Sequence, residues 1–249
     1  EHHSNLVPWQ LLAQRTGCVL RHVQVTEQGT LDLEDLRGKL SSRTKLVSLV
    51  HISNTLGCCN PVQDVVAAAR EQGAKVLLDA CQSLAHQPID VSVMGVDFLV
   101  GSSHKLCGPT GMGFLWAPEA LLEAMPPFLG GGEMIQDVFL DHSTWAALPH
   151  KFEAGTPAIG EAIGMGAAIR YLQTLGLDQI QAWEAQLTRH LFLRLQGIEG
   201  LRILGPTPEQ QAGRGALATF LVDGVHANDI AALLDLSGIC IRSGHHCCQ

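Results

Sequence analysis

Two ionisable residues come directly after apolar stretches that look like buried strands. Asp79 closes the stretch KVLLD, and Lys105 follows FLVGSSH. A carboxylate at the end of a buried strand is costly unless a cation or hydrogen-bond donors lie beside it. A lysine amine in such a place can act as a nucleophile and as a base. Considered alone, however, Asp79 also fits a helix cap or a turn, and Lys105 fits a solvated lysine at a strand end.

Together the two residues indicate a more specific chemistry. Pyridoxal phosphate is held by a lysine amine, and an aspartate keeps its pyridine nitrogen protonated so that the ring can accept electrons. Asp79 and Lys105 on neighbouring parallel strands would supply both groups. The pair therefore predicts pyridoxal 5'-phosphate as a cofactor.

The elements that must position these residues predict an α/β fold. Helix-like and strand-like stretches alternate through the first half of the chain, which is typical of a mostly parallel sheet with helices on its faces. Ligands bind beyond the carboxyl ends of such strands, where Ser53–Asn54, Asp79–Gln82 and Ser102–Lys105 lie. We expect strands over residues 18–25, 45–50, 75–78, 97–101 and 217–222. We expect helices over residues 6–16, 33–40, 61–73 with Asn60 as its cap, 160–175, 177–195 and 227–236.

The composition and the sequence pattern of the chain change along its length. Residues 126–157 are rich in Gly and Pro and predict extended loops. After the helix expected over residues 160–175, the sequence pattern differs from the alternation of strand-like and helix-like stretches that is typical of the first half. We place a domain boundary near residue 173, with a cofactor-binding large domain over residues 1–173 and a smaller C-terminal domain over residues 174–249.

Composition excludes several classes of protein. The 249 residues are 46% hydrophobic and 16% charged, with a net charge of −8 and no cluster of Lys or Arg. These values disfavour a disordered chain, a nucleic-acid surface and an anionic-membrane surface. No apolar run is long enough to cross a membrane, and no secretion signal opens the chain. Eight cysteines without CxxC spacing predict reduced thiols in a cytoplasmic protein. The chain starts without Met and stops after a cysteine pair, so we expect a fragment.

Five motifs carry a resemblance to a known family: EHHSN at 1–5, DACQS at 79–83, SSHKLCGPTG at 102–111, EAGTP at 153–157 and RSGHHC at 242–247. In this order they resemble the class V aminotransferase superfamily. Within it they resemble the group II (SufS-type) cysteine desulfurases, which include selenocysteine lyase-like members. The resemblance covers essentially the whole chain. It implies a fold type I pyridoxal-phosphate transferase that lacks both ends here, with an incomplete large domain and an incomplete small α/β domain.

The resemblance also implies a set of cofactor-binding residues. Lys105 would hold the cofactor covalently, Asp79 would pair with the ring nitrogen, and Gln82 would bind the phenolate oxygen. The ring would stack on a histidine, and the phosphate would be bound by two residues of this subunit and one of the partner subunit in a homodimer. His2 would be the stacking histidine. Ser102 and His104 would bind the phosphate within one subunit, and Thr156 would reach the phosphate of the other subunit.

The implied reaction converts L-cysteine to L-alanine and leaves a persulfide on the enzyme. Cys247 would be the nucleophile, Lys105 the base and His2 a proton donor, while Asn54 and Arg242 would hold the substrate carboxylate. The sulfur would pass to an acceptor protein of the SufE/SufU type for iron–sulfur cluster assembly. The compartment would be cytoplasmic, or the plastid stroma if an N-terminal extension carries a transit peptide.

Other interpretations remain open at this point. The alternatives are a selenocysteine lyase or an aminotransferase of the same superfamily, or a non-catalytic scaffold subunit. A transaminase needs no cysteine after RSGHH, so Cys247 favours the desulfurase. The His and Cys residues near both ends could bind zinc, but adjacent residues rarely reach one tetrahedral centre, so we predict no metal site. Four further cysteines with apolar neighbours are expected to pack in the core: Cys18, Cys81, Cys107 and Cys240.

Overall fold

A computed structural model describes all residues, 1–249, and contains a four-stranded mixed sheet as its centre. The strands lie side by side in chain order. The first three are parallel and the fourth is antiparallel to the third. Their bounds are β1 Leu46–Val50, β2 Lys75–Asp79, β3 Phe98–Ser102 and β4 Gly113–Trp116.

Helices connect and cover these strands, and two small antiparallel sheets follow. The helices are α1 Val7–Thr16, α2 Leu33–Lys39, α3 Val62–Glu71, α4 Val91–Met94, α5 Glu119–Ala124, α6 Ile159–Leu175, α7 Leu177–Leu195 and α8 Ala227–Asp235. The small sheets pair β5 Ile135–Val138 with β6 Ser143–Trp145, and β7 Leu201–Leu204 with β8 Thr219–Val222. No helix is long and apolar enough to cross a membrane.

The main core lies between α3 and the sheet. Val62, Val65, Val66 and Ala69 fall on one face of α3 at helical spacing, and all four are buried. They belong to the same apolar cluster as the inner residues of β2. Each fully buried Val or Leu contributes about 1.5–3 kcal/mol of hydrophobic stabilisation. This packing fixes β2 in place, and with it the residue at its carboxyl end.

The sheet and most helices match the sequence predictions, but the strand predicted over residues 18–25 is wrong. Only an isolated bridge joins Val25 to Leu31. Val19 is 80% exposed and Val25 is 62% exposed, so no neighbouring strand covers this segment. β-branched residues favour strands only where a partner strand and a covering layer exist.

The predicted cap of α3 is also wrong. The side chain of Asn60 donates a 2.8 Å hydrogen bond to the carbonyl oxygen of Val50 rather than to the helix, and Pro61 takes the cap position. The helix ends at Glu71, and Gly73 follows with a positive φ of 70°. Asn60 therefore ties the start of α3 to the end of β1.

Two further comparisons concern the cysteines and the domain division. Cys18, Cys107 and Cys240 are exposed and Cys81 is half-buried, so the prediction that they pack in the core is wrong. All eight cysteines are free thiols. The boundary near residue 173 stays a prediction. It falls in the last turn of α6, before α7 and the sheet of β7 and β8.

Candidate functional site

The carboxyl end of β2 places a carboxylate in a nearly closed environment. Asp79 is 7% exposed and lies between Val50 of β1 and Val100 of β3. Its Oδ1 accepts a 3.0 Å hydrogen bond from the backbone N–H of Cys81. Burial, followed by the charge of Asp79 and a hydrogen bond to it, raises the pKa of the Cys81 thiol to about 12. Cys81 therefore stays neutral beside the carboxylate.

Lys105 lies in a tight turn directly after β3. Residues Ser103–Lys105 form a 3-10 turn, closed by bonds from the N–H groups of Leu106 (2.8 Å) and Gly108 (3.0 Å) to the carbonyl oxygen of Ser103. A Cβ on Gly108 would come within 2.3 Å of Ser103 Oγ, so the turn requires glycine there. The turn fixes the backbone from which the half-buried side chain of Lys105 extends.

His2 approaches this pair from the start of the chain. Its pKa is lowered from 6.5, first by burial and then by the positive charge of Lys105, while Asp79 opposes the shift. The three groups are therefore electrostatic neighbours, and the imidazole is neutral at neutral pH. Its Nδ1 accepts a 3.1 Å hydrogen bond from the N–H of Ser4. The proton of the neutral ring is consequently on Nε2, which leaves His2 able to donate it.

These residues fit pyridoxal phosphate on their own chemistry. No Lys, Arg or His nitrogen lies within 4 Å of the Asp79 carboxylate, although that side chain is buried. A buried carboxylate without a cationic partner suits a protonated ring nitrogen. The amine of Lys105 could supply a covalent attachment point, and the imidazole of His2 could supply a stacking surface. Gln82, half-buried in the turn after β2, adds an amide.

The remaining predicted residues divide into two groups. Ser102 Oγ and His104 Nδ1 are 2.8 Å apart beside Lys105, which places two polar groups together after β3. Thr156 lies exposed in the loop before α6, and Arg242 lies exposed near the end of the chain. Neither Thr156 nor Arg242 has a side-chain hydrogen bond or an ion pair. No group of three or more His, Cys, Asp or Glu side chains is arranged to hold a metal ion.

The loop that carries Cys247 is joined to the start of the chain and to the turn after β1. The N–H of His3 donates a 2.8 Å bond to the carbonyl oxygen of Cys247. Asn54 Nδ2 donates a 2.7 Å bond to the carbonyl oxygen of His246. His246 and Cys247 have positive φ values of 51° and 60°, which cost roughly 1–3 kcal/mol each in residues other than glycine. The surrounding bonds hold this strained backbone.

The two adjacent thiols in this loop differ. Cys247 is exposed, and its sulfur has no hydrogen-bond partner. Cys248 is half-buried, and its sulfur contacts the hydroxyl of Thr55 and the carbonyl oxygen of His245. Cys247 is therefore the thiol of the pair that has no hydrogen-bond partner.

Sequence reasoning missed four residues of this region: His3, His51, Thr55 and the site role of Cys81. His51 is 4% exposed, its N–H donates to the carbonyl oxygen of Asp79, and burial lowers the pKa of its imidazole to about 4. It follows the apolar strand β1 directly, and this position could have identified it. Thr55 follows Asn54, but only the three-dimensional structure shows its contact with Cys248.

Comparison with known proteins agrees with this geometry. The family model for aminotransferase class-V matches residues 1–249. The chain is 57% identical over 249 residues to a protein of Synechocystis sp. named "Probable cysteine desulfurase", and it covers 59% of that protein. A second protein of that name, from Streptomyces coelicolor, is 50% identical over the same length. The chain thus spans about 59% of the length of these curated relatives.

Solved structures give the same result. The cysteine desulfurase CsdA of Escherichia coli superposes with a TM-score of 0.94 at 36% identity, covering 100% of this chain and 61% of that one. A mutant of C-DES with glycine covalently linked to its PLP cofactor superposes with a TM-score of 0.85 at 26% identity, covering 98% of this chain and 65% of that one. Family members use pyridoxal phosphate, and the mostly parallel sheet with its helices is the α/β fold type I. The chain belongs to the aminotransferase class-V family.

Proposed function

We propose that the full-length protein with this sequence is a pyridoxal-phosphate-dependent cysteine desulfurase that converts L-cysteine to L-alanine and carries the sulfur as a persulfide on Cys247. The observation that carries the proposal is an exposed thiol without a hydrogen-bond partner, in a loop bonded to Asn54 and to His3, the residue after His2. A transaminase has no use for such a thiol. The names of the relatives support the same activity.

The first part of the reaction uses the residues at the ends of the strands. Pyridoxal phosphate, when bound, supplies an electron sink for the bonds at the substrate Cα. Lys105, Asp79, Gln82 and His2 would hold it. The Asp79 carboxylate would keep the ring nitrogen of the cofactor protonated. The positive charge on that nitrogen would stabilise the negative charge that develops on the substrate. Lys105 Nζ, released from its covalent attachment when the substrate amine takes its place, would then accept the proton from the substrate Cα.

The second part transfers sulfur. The Cys247 thiolate attacks the sulfur of the substrate, a new S–S bond forms, and the Cβ–S bond breaks with its electron pair left on carbon. A proton then completes the methyl group, and the proton that Lys105 took returns to Cα, so that L-alanine is formed. His2 is the proposed donor to the methyl group, because its neutral ring carries a proton on Nε2. Atoms balance: L-cysteine and one thiol give L-alanine and one persulfide.

The substrate carboxylate requires donors near this centre. Asn54 lies in the turn after β1, and we propose it as one donor, with Arg242 as a cationic partner. Arg242 is exposed and free of ion pairs, so its guanidinium is available to an anion. We propose that Ser102 and His104 bind the cofactor phosphate. Thr156 would reach the phosphate of a partner subunit.

We also propose a homodimer that passes sulfur to an acceptor protein of the SufE/SufU type for iron–sulfur cluster assembly, as in the SufS-type subgroup. Exposed apolar side chains before Thr156 support a subunit contact, since large exposed apolar patches mark interfaces. They include Phe128, Leu140 and Trp145. A reducing, cytoplasmic compartment is supported by eight free thiols.

One purification tests the function. The full-length protein is isolated, its absorbance spectrum is recorded for bound cofactor, and alanine and sulfide are measured with L-cysteine and a thiol reductant. We expect equal amounts of the two products. Turnover of L-selenocysteine without turnover of L-cysteine would identify a selenocysteine lyase. Amino-group transfer to a keto acid without sulfide would identify an aminotransferase, and bound cofactor without turnover of any substrate would leave a scaffold subunit.

A further inference from the structure

Cys248 is the one residue in the loop 242–249 whose side chain makes hydrogen bonds. Its Sγ lies 2.6 Å from Thr55 Oγ1 and 3.2 Å from the carbonyl oxygen of His245. Its backbone N–H also donates to His245, at 3.0 Å. The side chain thus closes a turn within its own loop and contacts a residue 193 positions away.

The number of hydrogens fixes the direction of these bonds. A thiol has one hydrogen, and that of Cys248 is directed at the carbonyl oxygen of His245. The hydroxyl of Thr55 must therefore donate to the sulfur. Thr55 is itself held, because its N–H donates to Ser53 Oγ at 3.2 Å and its carbonyl oxygen accepts from the hydroxyl of Thr219. The contact between Thr55 and Cys248 consequently joins the loop to a fixed turn.

The neighbouring thiol has the opposite environment. Cys247 has a backbone fixed by the N–H of His3 and a sulfur without any partner. Its φ of 60° and the φ of 51° at His246 are conformations that the chain adopts only when contacts on both sides hold it. Asn54 supplies the contact before Cys247, and Thr55 supplies the one after it.

We infer that Cys248 and Thr55 are positioning residues for Cys247: they anchor the loop so that the free thiol is presented at one place, and Cys248 carries no sulfur itself. The inference rests on the proposed function for its meaning. As a second sulfur carrier, Cys248 would have to give up the thiol hydrogen that it donates to the carbonyl oxygen of His245. As an anchor, it keeps that bond together with the one from Thr55.

The test compares two disruptive variants with two conservative ones in the full-length, cofactor-loaded protein. Thr55→Val keeps the shape and removes the hydroxyl, while Cys248→Ala removes the acceptor. We expect each to lower kcat for alanine formation about threefold to tenfold, the effect of one lost hydrogen bond on a rate. KM for L-cysteine should change by less than about twofold. Thr55→Ser and Cys248→Ser should remain near the wild-type rate.

Coupling separates an anchor from a general structural role. The double variant Thr55→Val with Cys248→Ala should be no slower than the slower single variant, because both remove the same contact. Multiplied effects in the double variant would overturn the inference. So would sulfur on Cys248 of the wild type after brief exposure to L-cysteine, as found by peptide mass spectrometry.

A measurement independent of turnover tests the anchor separately from the proposed function. Amide hydrogen exchange over residues 245–249 should be faster in Thr55→Val and Cys248→Ala than in the wild type, and unchanged in Thr55→Ser. Unchanged exchange in both disruptive variants would overturn the anchor even if the protein is a desulfurase. Absence of alanine formation by the wild type would instead contradict the proposed function and leave the exchange result to decide the anchor.

Discussion

The side-chain amide of Asn54 donates a 2.7 Å hydrogen bond to the carbonyl oxygen of His246, the residue before the free thiol of Cys247. The Oδ1 of the same side chain is buried and has no hydrogen-bond partner. A residue proposed to hold the substrate carboxylate is therefore also bonded to the loop of the proposed nucleophile. In the proposed function, binding of the substrate and placement of the thiol would share one side chain.

Removal of this side chain should affect both tasks. We expect Asn54→Ala to lower kcat/KM for L-cysteine about tenfold or more, because it removes a donor to the substrate and a bond to the loop. Steady-state kinetics of the full-length protein provide the measurement. Asn228→Ala, in the exposed first turn of α8, is the matched control and should retain wild-type kinetics. Equal kinetics of both variants would contradict the role of Asn54.

Lys105→Ala should abolish covalent attachment of the cofactor. The amine is the proposed attachment point, and no other lysine lies at the carboxyl ends of the parallel strands. Borohydride reduction followed by peptide mass spectrometry should find the cofactor on Lys105 of the wild type and on no peptide of the variant. Lys45→Ala, at an exposed position before β1, should keep the attachment. A reduced adduct in the Lys105 variant would refute the assignment.

Asp79→Asn should slow exchange of the substrate Cα proton about a hundredfold or more, because a neutral amide cannot stabilise the positive charge on the ring. Asparagine keeps an oxygen to accept from the N–H of Cys81, so the fold should be retained. The measurement is the rate of deuterium uptake into L-alanine or L-cysteine in deuterated water. Asp64→Asn, an exposed substitution on α3, is the control. An unchanged uptake rate in the Asp79 variant would exclude this role.

The two adjacent cysteines should separate clearly in the position of the sulfur. Cys247→Ser should bind L-cysteine yet release almost no sulfide, because serine cannot form a persulfide. Cys248→Ala should still carry sulfur on Cys247, at a reduced rate. Mass spectrometry of the 242–249 peptide after brief exposure to L-cysteine distinguishes the two. Alanine production at a near-normal rate by Cys247→Ser would assign the chemistry to another thiol.

His51 should make the folded state sensitive to acid. The imidazole gains its proton near pH 6.5 in the unfolded chain but only near pH 4 in the folded one. Between these values the unfolded state binds more protons, so the free energy of unfolding falls as the pH drops, in total by about 3 kcal/mol below pH 4. Denaturant titrations at pH 7, 5.5 and 4.5 should show a shallower fall for His51→Gln than for the wild type. His22→Gln, at an exposed position, should follow the wild type.

The central sheet could be predicted because its strands have a local pattern. β2 is covered on both sides, so its sequence is a continuous apolar run that ends in Asp79. The segment at residues 18–25, CVLRHVQV, is also rich in Val and Leu, but it has no partner strand, and composition does not reveal a missing neighbour. The antiparallel strand β4 is not predicted, because its sequence GFLW is short and follows a stretch rich in glycine.

The site could be predicted in part for the same physical reason. Asp79 ends β2 and Lys105 follows β3, so the order of the elements brings them to one edge. The bonds of Asn54 with His246 and of Thr55 with Cys248 join loops that are 192 and 193 positions apart. Loops have no periodic pattern, so the sequence cannot show which of them meet. The packing of the whole chain determines those contacts.

The long separation of these partners also orders the assembly of the molecule. The strands that position Asp79 and Lys105 lie within residues 46–116 and pair with near neighbours in the chain. The loop of Cys247 can meet the turn at Asn54 only after residue 247 has left the ribosome, because synthesis runs from the N-terminus. Distant contacts of this kind also form slowly. The thiol of Cys247 therefore joins Asp79 and Lys105 after the sheet that carries them has been synthesised.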